Sequence, residues 1–215
     1  MSFVSSKRAD PFALESFLRK YPESVYQDIV IEDNIYLIGT DFCESRYELI
    51  KPVLDLFDRP FSFLDLGAAQ GYFSFRVAHD FPLSFCTMIE ANDTPYVIHG
   101  DMLQELCFYN RHLNNITHLN KKMDLTSLSI LNENQHFDVV IAFLVVHQIH
   151  ESFSEQIKII ETLLKLGDNL IVEVANDVCI LYSAYVEFLS EKLDCQYLGE
   201  VKRRKDPDST SEMVG

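Results

Sequence analysis

Short apolar runs alternate with segments of helical spacing through most of the chain. Phe63-Leu64-Asp65-Leu66, Leu83 to Ile89, Phe137 to Leu144 and Asp168 to Val174 are each bounded by turn residues, and Ile116 to Lys122 mixes apolar and polar positions. Runs of this length read as strands, and the near-continuous ones as strands buried on both faces. An amphipathic helix follows Gly71, a second follows the fifth run over Cys179 to Leu193, and Gln196 to Val201 reads as a sixth strand. Strands alternating with helices predict an α/β domain with a doubly wound, mostly parallel sheet.

The first 60 residues follow another pattern. Asp10-Pro11 ahead of Phe12, Leu14, Phe17 and Leu18 predicts a short helix with Asp10 as its cap and proline at its first position. Val25 to Ile31 and Ile35 to Ile38 flank Glu32-Asp33-Asn34, a β-hairpin pattern. Tyr47, Ile50, Leu54 and Phe57 keep helical spacing over Glu44 to Phe57, with Pro52 set to kink that helix or delay its start. Residues 1–60 are thus expected to form an extension packed on a core of residues 61–215.

At the other end, Asp206-Pro207-Asp208-Ser209-Thr210-Ser211 is rich in turn formers and leaves only Glu212 to Gly215 for a further strand. A final strand usually has about five or six residues. The expectation is an incomplete closing hairpin: either the chain is truncated, or a partner such as a second copy covers the open sheet edge.

Composition narrows the function. The chain has 215 residues, 47% hydrophobic, which suits one α/β domain with a sizeable core. Its 33 acidic and 18 basic residues give a net charge of −15. Such a surface repels phosphate backbones and weighs against a nucleic-acid substrate. Lys202-Arg203-Arg204-Lys205 is the one basic run and reads as a solvated segment. The five cysteines, Cys43, Cys86, Cys107, Cys179 and Cys195, are odd in number and lack CxxC spacing. They read as reduced thiols of a cytoplasmic protein, in keeping with an amino terminus that lacks a signal-peptide core. No apolar run reaches the roughly 18 residues that a membrane span requires.

The chemistry concentrates after the first core strand. Phe63-Leu64-Asp65-Leu66-Gly67-Ala68-Ala69-Gln70-Gly71 is a strand, an acid beside its end and a glycine-flanked turn. Open α/β sheets bind ligands at such a turn. Glu90 closes the second core strand, where a carboxylate can accept from vicinal ribose hydroxyls. Asp124-Leu125 follows the third strand, and Phe137 to Leu144 is the fourth. In this order the landmarks resemble those of class I S-adenosylmethionine (SAM)-dependent methyltransferases over roughly residues 45 to 200, with Ala69 where the family pattern has a glycine.

The resemblance implies a Rossmann-like fold and SAM as methyl donor, leaving S-adenosylhomocysteine (SAH). It assigns Asp65, Gly67, Ala68, Gln70 and Gly71 to the methionine end, Glu90 to the ribose and Asp124 with Leu125 to the adenine. Ala142 and Phe143 would border the cofactor at the end of the fourth strand. It further implies a small-molecule acceptor and an amino-terminal lid.

His147 follows the fourth strand, where an acceptor would meet the methyl group, and is the candidate general base. His147 and His150 have i, i+3 spacing but no third ligand in a recognisable motif, so no metal site is expected. Asp138 precedes its strand and reads as a start signal.

Ser45-Arg46-Tyr47-Glu48 ahead of Leu64 to Ala69 is similar to the opening of ribosomal-RNA and cap 2′-O-methyltransferases. Their Lys-Asp-Lys-Glu tetrad fails here. Lys51 and Glu173 imitate two members, but Phe143-Leu144-Val145-Val146-His147 contains no acid. Two other readings stay open, a nicotinamide oxidoreductase and a non-catalytic scaffold of the same fold. The first lacks G-x-G-x-x-G and a Tyr-x-x-x-Lys pair.

Overall fold

A computed structural model describes residues 11–20, 25–31, 34–40, 43–92, 99–175, 182–192, 195–202 and 210–214. The Asp10 cap, the Glu32-Asp33 turn, the Cys179 helix start and residues 203–209, with most of the basic run, lie outside the described residues.

The amino-terminal pattern folds as α1 (Pro11–Lys20), an antiparallel hairpin of β1 (Ile29–Ile31) and β2 (Asn34–Leu37), and α2 (Cys43–Leu54). Pro52 does not delay α2, which begins at Cys43 and carries the proline in its last turn. The core then runs β3 (Ser62–Leu66), α3 (Tyr72–Asp80), β4 (Phe85–Glu90), α4 (His99–Tyr109), β5 (Ile116–Asn120), α5 (Leu125–Asn134) and β6 (Phe137–Phe143). It continues through α6 (Val146–Ile149), α7 (Phe153–Leu166), β7 (Gly167–Ala175), α8 (Tyr182–Lys192), β8 (Tyr197–Lys202) and β9 (Thr210–Val214).

The seven-stranded sheet has the order β5-β4-β3-β6-β7-β9-β8. The first five strands pair in parallel. From β3 the chain moves outward through β4 to β5, then returns to place β6 on the other flank of β3. The order therefore reverses between β3 and β6, and a crevice opens there at the carboxyl ends of the strands. Asp138, at the start of β6, accepts from Arg59 and from the Ser62 amide at 2.7 Å, tying β6 to β3 at the opposite end.

Alternation along β3 explains the two helical layers. Phe63 packs with Tyr47, Ile50, Phe73 and Val77 of α2 and α3. Leu64 and Leu66 face the other way, with Leu128, Ile160 and Leu163 of α5 and α7. A third cluster joins Phe17, Val25, Ile29 and Ile31 to Ala68, Phe75, Met88 and Leu103, so the amino-terminal elements share apolar packing with the turn after β3.

The closing hairpin is complete, which corrects the expectation of a missing strand. β9 lies between β7 and β8 and is antiparallel to both. Thr210 and Ser211, turn formers by composition, are strand residues here because Ser211 lies in register with both Ala175 and Val201. A backbone paired on both sides overrides their turn preference. Met213 anchors the strand and is fully buried. The sheet edges are β5 and β8.

Candidate cofactor site

The turn after β3 is held by its own backbone and by Glu90. The Gly67 and Ala68 amides donate to the Ile89 carbonyl at 2.9 and 3.2 Å, and the Gly71 amide donates to Ala68 O at 2.7 Å. Glu90 Oε2 accepts from the Ala69 amide at 2.7 Å, and its Oε1 accepts from the Ala91 amide at 2.9 Å.

Gly67, Ala69 and Gly71 have φ of +76°, +47° and +76°. A Cβ at Gly67 would stand 2.6 Å from Val145 Cγ2, and one at Gly71 would stand 2.6 Å from Leu103 Cδ1. Both glycines thus serve backbone conformation and close packing together. Ala69 takes the left-handed conformation at a cost of about 1–2 kcal/mol. Across the crevice Leu144 does the same, with φ +54° just past β6. Such strain gathers where surrounding structure fixes a functional loop.

These two rims enclose a cavity of about 380 Å³. Gly67, Ala69, Glu90 and Ala91 form one side of its wall, and Phe143, Leu144 and Val145 the other. Lys121, Lys122 and Met123 close it beyond β5, with His99 from α4, Tyr26 from the amino-terminal segment, and Gln148 and Ile149 from α6. The wall is largely apolar with few convergent polar groups, as in small-molecule sites.

Of the residues singled out in the sequence, Gly67, Glu90 and Phe143 meet on this wall. Ala68, Gln70 and Gly71 belong to the same turn but are buried behind it, and Ala142 is buried within β6. Asp65 lies beneath the turn, 3% exposed, and accepts from Ser74 Oγ at 3.0 Å. Burial pushes its carboxyl up to about 7, opposed by the Ser74 hydrogen bond and reinforced by the Glu90 charge.

Asp124 and Leu125 do not line the cavity. Asp124 is exposed and caps α5, accepting from the Ser127 amide at 2.7 Å, which holds its carboxyl below the ordinary value. The wall at this point is made by the three residues before it. His147 sits half-buried on α6, while its neighbours Val145 and Gln148 line the cavity. Tyr26, His99, Lys121, Lys122, Gln148 and Ile149 were not singled out from the sequence. His99 opens the helix after the Glu90 strand, a position that pointed to it; Tyr26 carries no such local signal.

Beside the crevice, Arg46 of α2 and Glu173 of β7 form a two-armed ion pair at 2.6 Å on each arm, both side chains essentially fully buried. Glu173 is in register with Phe143, so the pair fastens α2 next to the cavity wall. Losing one partner of such a pair strands a buried charge, at about 3–5 kcal/mol. Lys51 instead pairs with Asp55 at 2.7 Å on the surface. The two imitators of the 2′-O-methyltransferase tetrad are therefore each engaged elsewhere.

No protein-family model matches the chain, and no curated protein matches it. Solved structures do. The bifunctional kinase-methyltransferase WbdD superposes with a TM-score of 0.69 at 19% identity, covering 94% of this chain and 45% of that one. The chain thus spans less than half the length of WbdD. The SAH-bound amino-terminal domain of EvdMO1 gives 0.63 at 12% identity and covers 97% of both chains. A precorrin-6y C5,15-methyltransferase from Geobacter metallireducens gives 0.58 at 12% identity, covering 89% of this chain and 98% of its own. The chain has the Rossmann-like fold of class I methyltransferases.

Proposed function

We propose that this protein is a SAM-dependent methyltransferase acting on a small-molecule acceptor. The observation that carries the reading is the meeting of Glu90 and the Gly67–Gly71 turn on one cavity wall, at the point where the strand order reverses. A carboxylate at the end of β4, on the cavity wall, suits the vicinal hydroxyls of a ribose. The cavity of about 380 Å³ is in the range of small-molecule and cofactor sites. Bound there, SAM would supply an electrophilic methyl on a sulfonium leaving group.

In this reading Gly67, Ala68, Ala69, Gln70 and Gly71 hold the methionine end, and Glu90 holds the ribose. Ile89, Met123, Val145 and Ile149 offer apolar surface to the adenine. Asp124 caps α5 directly after Met123 of the cavity wall, and in this reading it serves the site through that cap. Phe143 and Leu144 border the methyl group, so catalysis rests chiefly on positioning and on exclusion of water. His147 is the candidate base for a hydroxyl acceptor. The net charge of −15 supports an acceptor other than nucleic acid.

The reading carries a cytoplasmic location, from five cysteines without CxxC spacing, and a homodimer paired along β5 or β8. Among the described residues no helix is long and apolar enough to cross a membrane. Titration with SAH and with NAD tests the proposal: SAH binding supports it, and NAD binding without SAH binding overturns it.

A further inference from the structure

The α3 helix starts at Tyr72, directly after the turn, and its N-cap Gly71 has no side chain with which to satisfy the first amides. The missing acceptor arrives from the amino-terminal segment. Gln27 Oε1 accepts from the Tyr72 amide at 3.1 Å, across 45 residues of sequence. In return, the Gln27 backbone amide donates to Gln70 Oε1, inside the turn, at 2.7 Å. Both side chains are buried, Gln27 at 4% and Gln70 at 0% exposure. Gln70 Nε2 is buried with no hydrogen-bond partner among the described residues, and the bond from Gln27 holds the other end of this amide.

The Gln27 backbone is itself tightly placed. A Cβ at Gly39 would stand 2.4 Å from the Gln27 carbonyl and from Tyr26 O, so the segment after β2 lies flush against residues 26 and 27. The Gly39 amide donates to buried Asp28 Oδ1 at 2.8 Å, and the Thr40 amide donates to Val25 O at 3.2 Å. Val25, Ile29 and Ile31 share an apolar cluster with Ala68 of the turn. Tyr26 lines the cavity.

The geometry points to Gln27 as a positioning residue of the cofactor site, acting through Gln70 and the amino terminus of α3 on the turn that holds the methionine end of SAM. This rests on the methyltransferase reading. The reciprocal bonds fix both the Gln70 side chain and the first turn of α3, the two supports between which residues 68–71 hang. Cofactor binding and the order of residues 25–31 are then coupled.

The experiment uses the full chain. Calorimetric titration of the parental protein with SAH comes first, and absence of binding there sinks the methyltransferase reading and this inference with it. Given parental binding, Gln27→Met keeps side-chain length and removes the acceptor, and it lowers SAH affinity about tenfold. Gln70→Met removes the acceptor of the second bond, from the Gln27 backbone amide, with a similar loss, and because the two bonds join the same pair of segments the double variant loses less than the product of the single losses. These affinities are measured on folded protein, so a loss of global stability alone does not move them. Unchanged affinity in Gln27→Met, or losses that multiply in the double variant, overturn the inference and leave the cofactor assignment standing. Amide hydrogen exchange on the parental chain decides the matter if the variants fail to fold. Saturating SAH slows exchange at Tyr72 and over 25–31, and equal rates with and without SAH overturn the coupling.

Discussion

The Glu90 carboxylate holds the Ala69 amide at 2.7 Å, which makes the acid at the end of β4 and the turn after β3 one hydrogen-bonded unit. Two elements recognisable separately in the sequence are thus joined by a direct hydrogen bond. Glu90→Ala removes the proposed ribose acceptor and this support together. SAH affinity should fall by about 1–3 kcal/mol, the scale of lost charge-assisted hydrogen bonds. Calorimetry reads this directly, and parental affinity in the variant would remove Glu90 from the site.

Gly67→Val should abolish detectable SAH binding in a domain that still folds. The added side chain meets Val145, at 2.6 Å from its Cγ2 for the Cβ alone, and displaces it within the cavity wall. The φ of +76° adds a stability cost of about 1–2 kcal/mol. Ala69→Gly has the opposite sense: it relieves the left-handed strain, while added chain entropy cancels about 0.5–1 kcal/mol of the gain. Circular dichroism with SAH titration follows both, and normal SAH binding by Gly67→Val would show that this turn is not the cofactor loop.

Asp65 gives the fold a pH dependence of definite sign. Its folded carboxyl is pushed up from 3.8 to about 7 by burial. Between those values the folded chain holds a proton that the unfolded chain has lost. Its contribution therefore falls as pH rises through that window and levels off above about 7. Asp65→Asn should flatten this part of the urea-unfolding profile between pH 5 and 8. An unchanged slope in the variant would contradict the assignment.

His147→Ala should leave SAH affinity near parental, since Val145, Gln148 and Ile149 form the wall at α6. With a hydroxyl acceptor, turnover should drop by roughly 10²–10⁴-fold, the usual contribution of a general base. Turnover at near-parental rates would make His147 a packing residue and leave positioning as the main catalytic device.

The sheet and its turn were legible because parallel strands buried on both faces read as apolar runs, and Gly67 and Gly71 mark where the backbone turns left-handed. Gln27 and Tyr26 were not legible, since their partners lie far along the chain and no local pattern announces a bond to Gln70 or Tyr72. Asp124 shows another limit. An acid after a strand and before a helix has the same local sequence whether it caps or binds, and Asp124 caps α5 through the Ser127 amide. β9 was hidden because Thr210 and Ser211 owe their strand conformation to pairing with β7 and β8.

Calorimetric titration of the purified chain with SAH, with NAD and NADP as parallel ligands, tests the cofactor most directly. SAH should bind saturably at one site per chain, neither dinucleotide should bind, and Gly67→Val should lose the SAH signal. Binding of NAD or NADP with no response to SAH would contradict the methyltransferase reading, and would turn Glu90 and the Gly67–Gly71 turn into parts of a dinucleotide site.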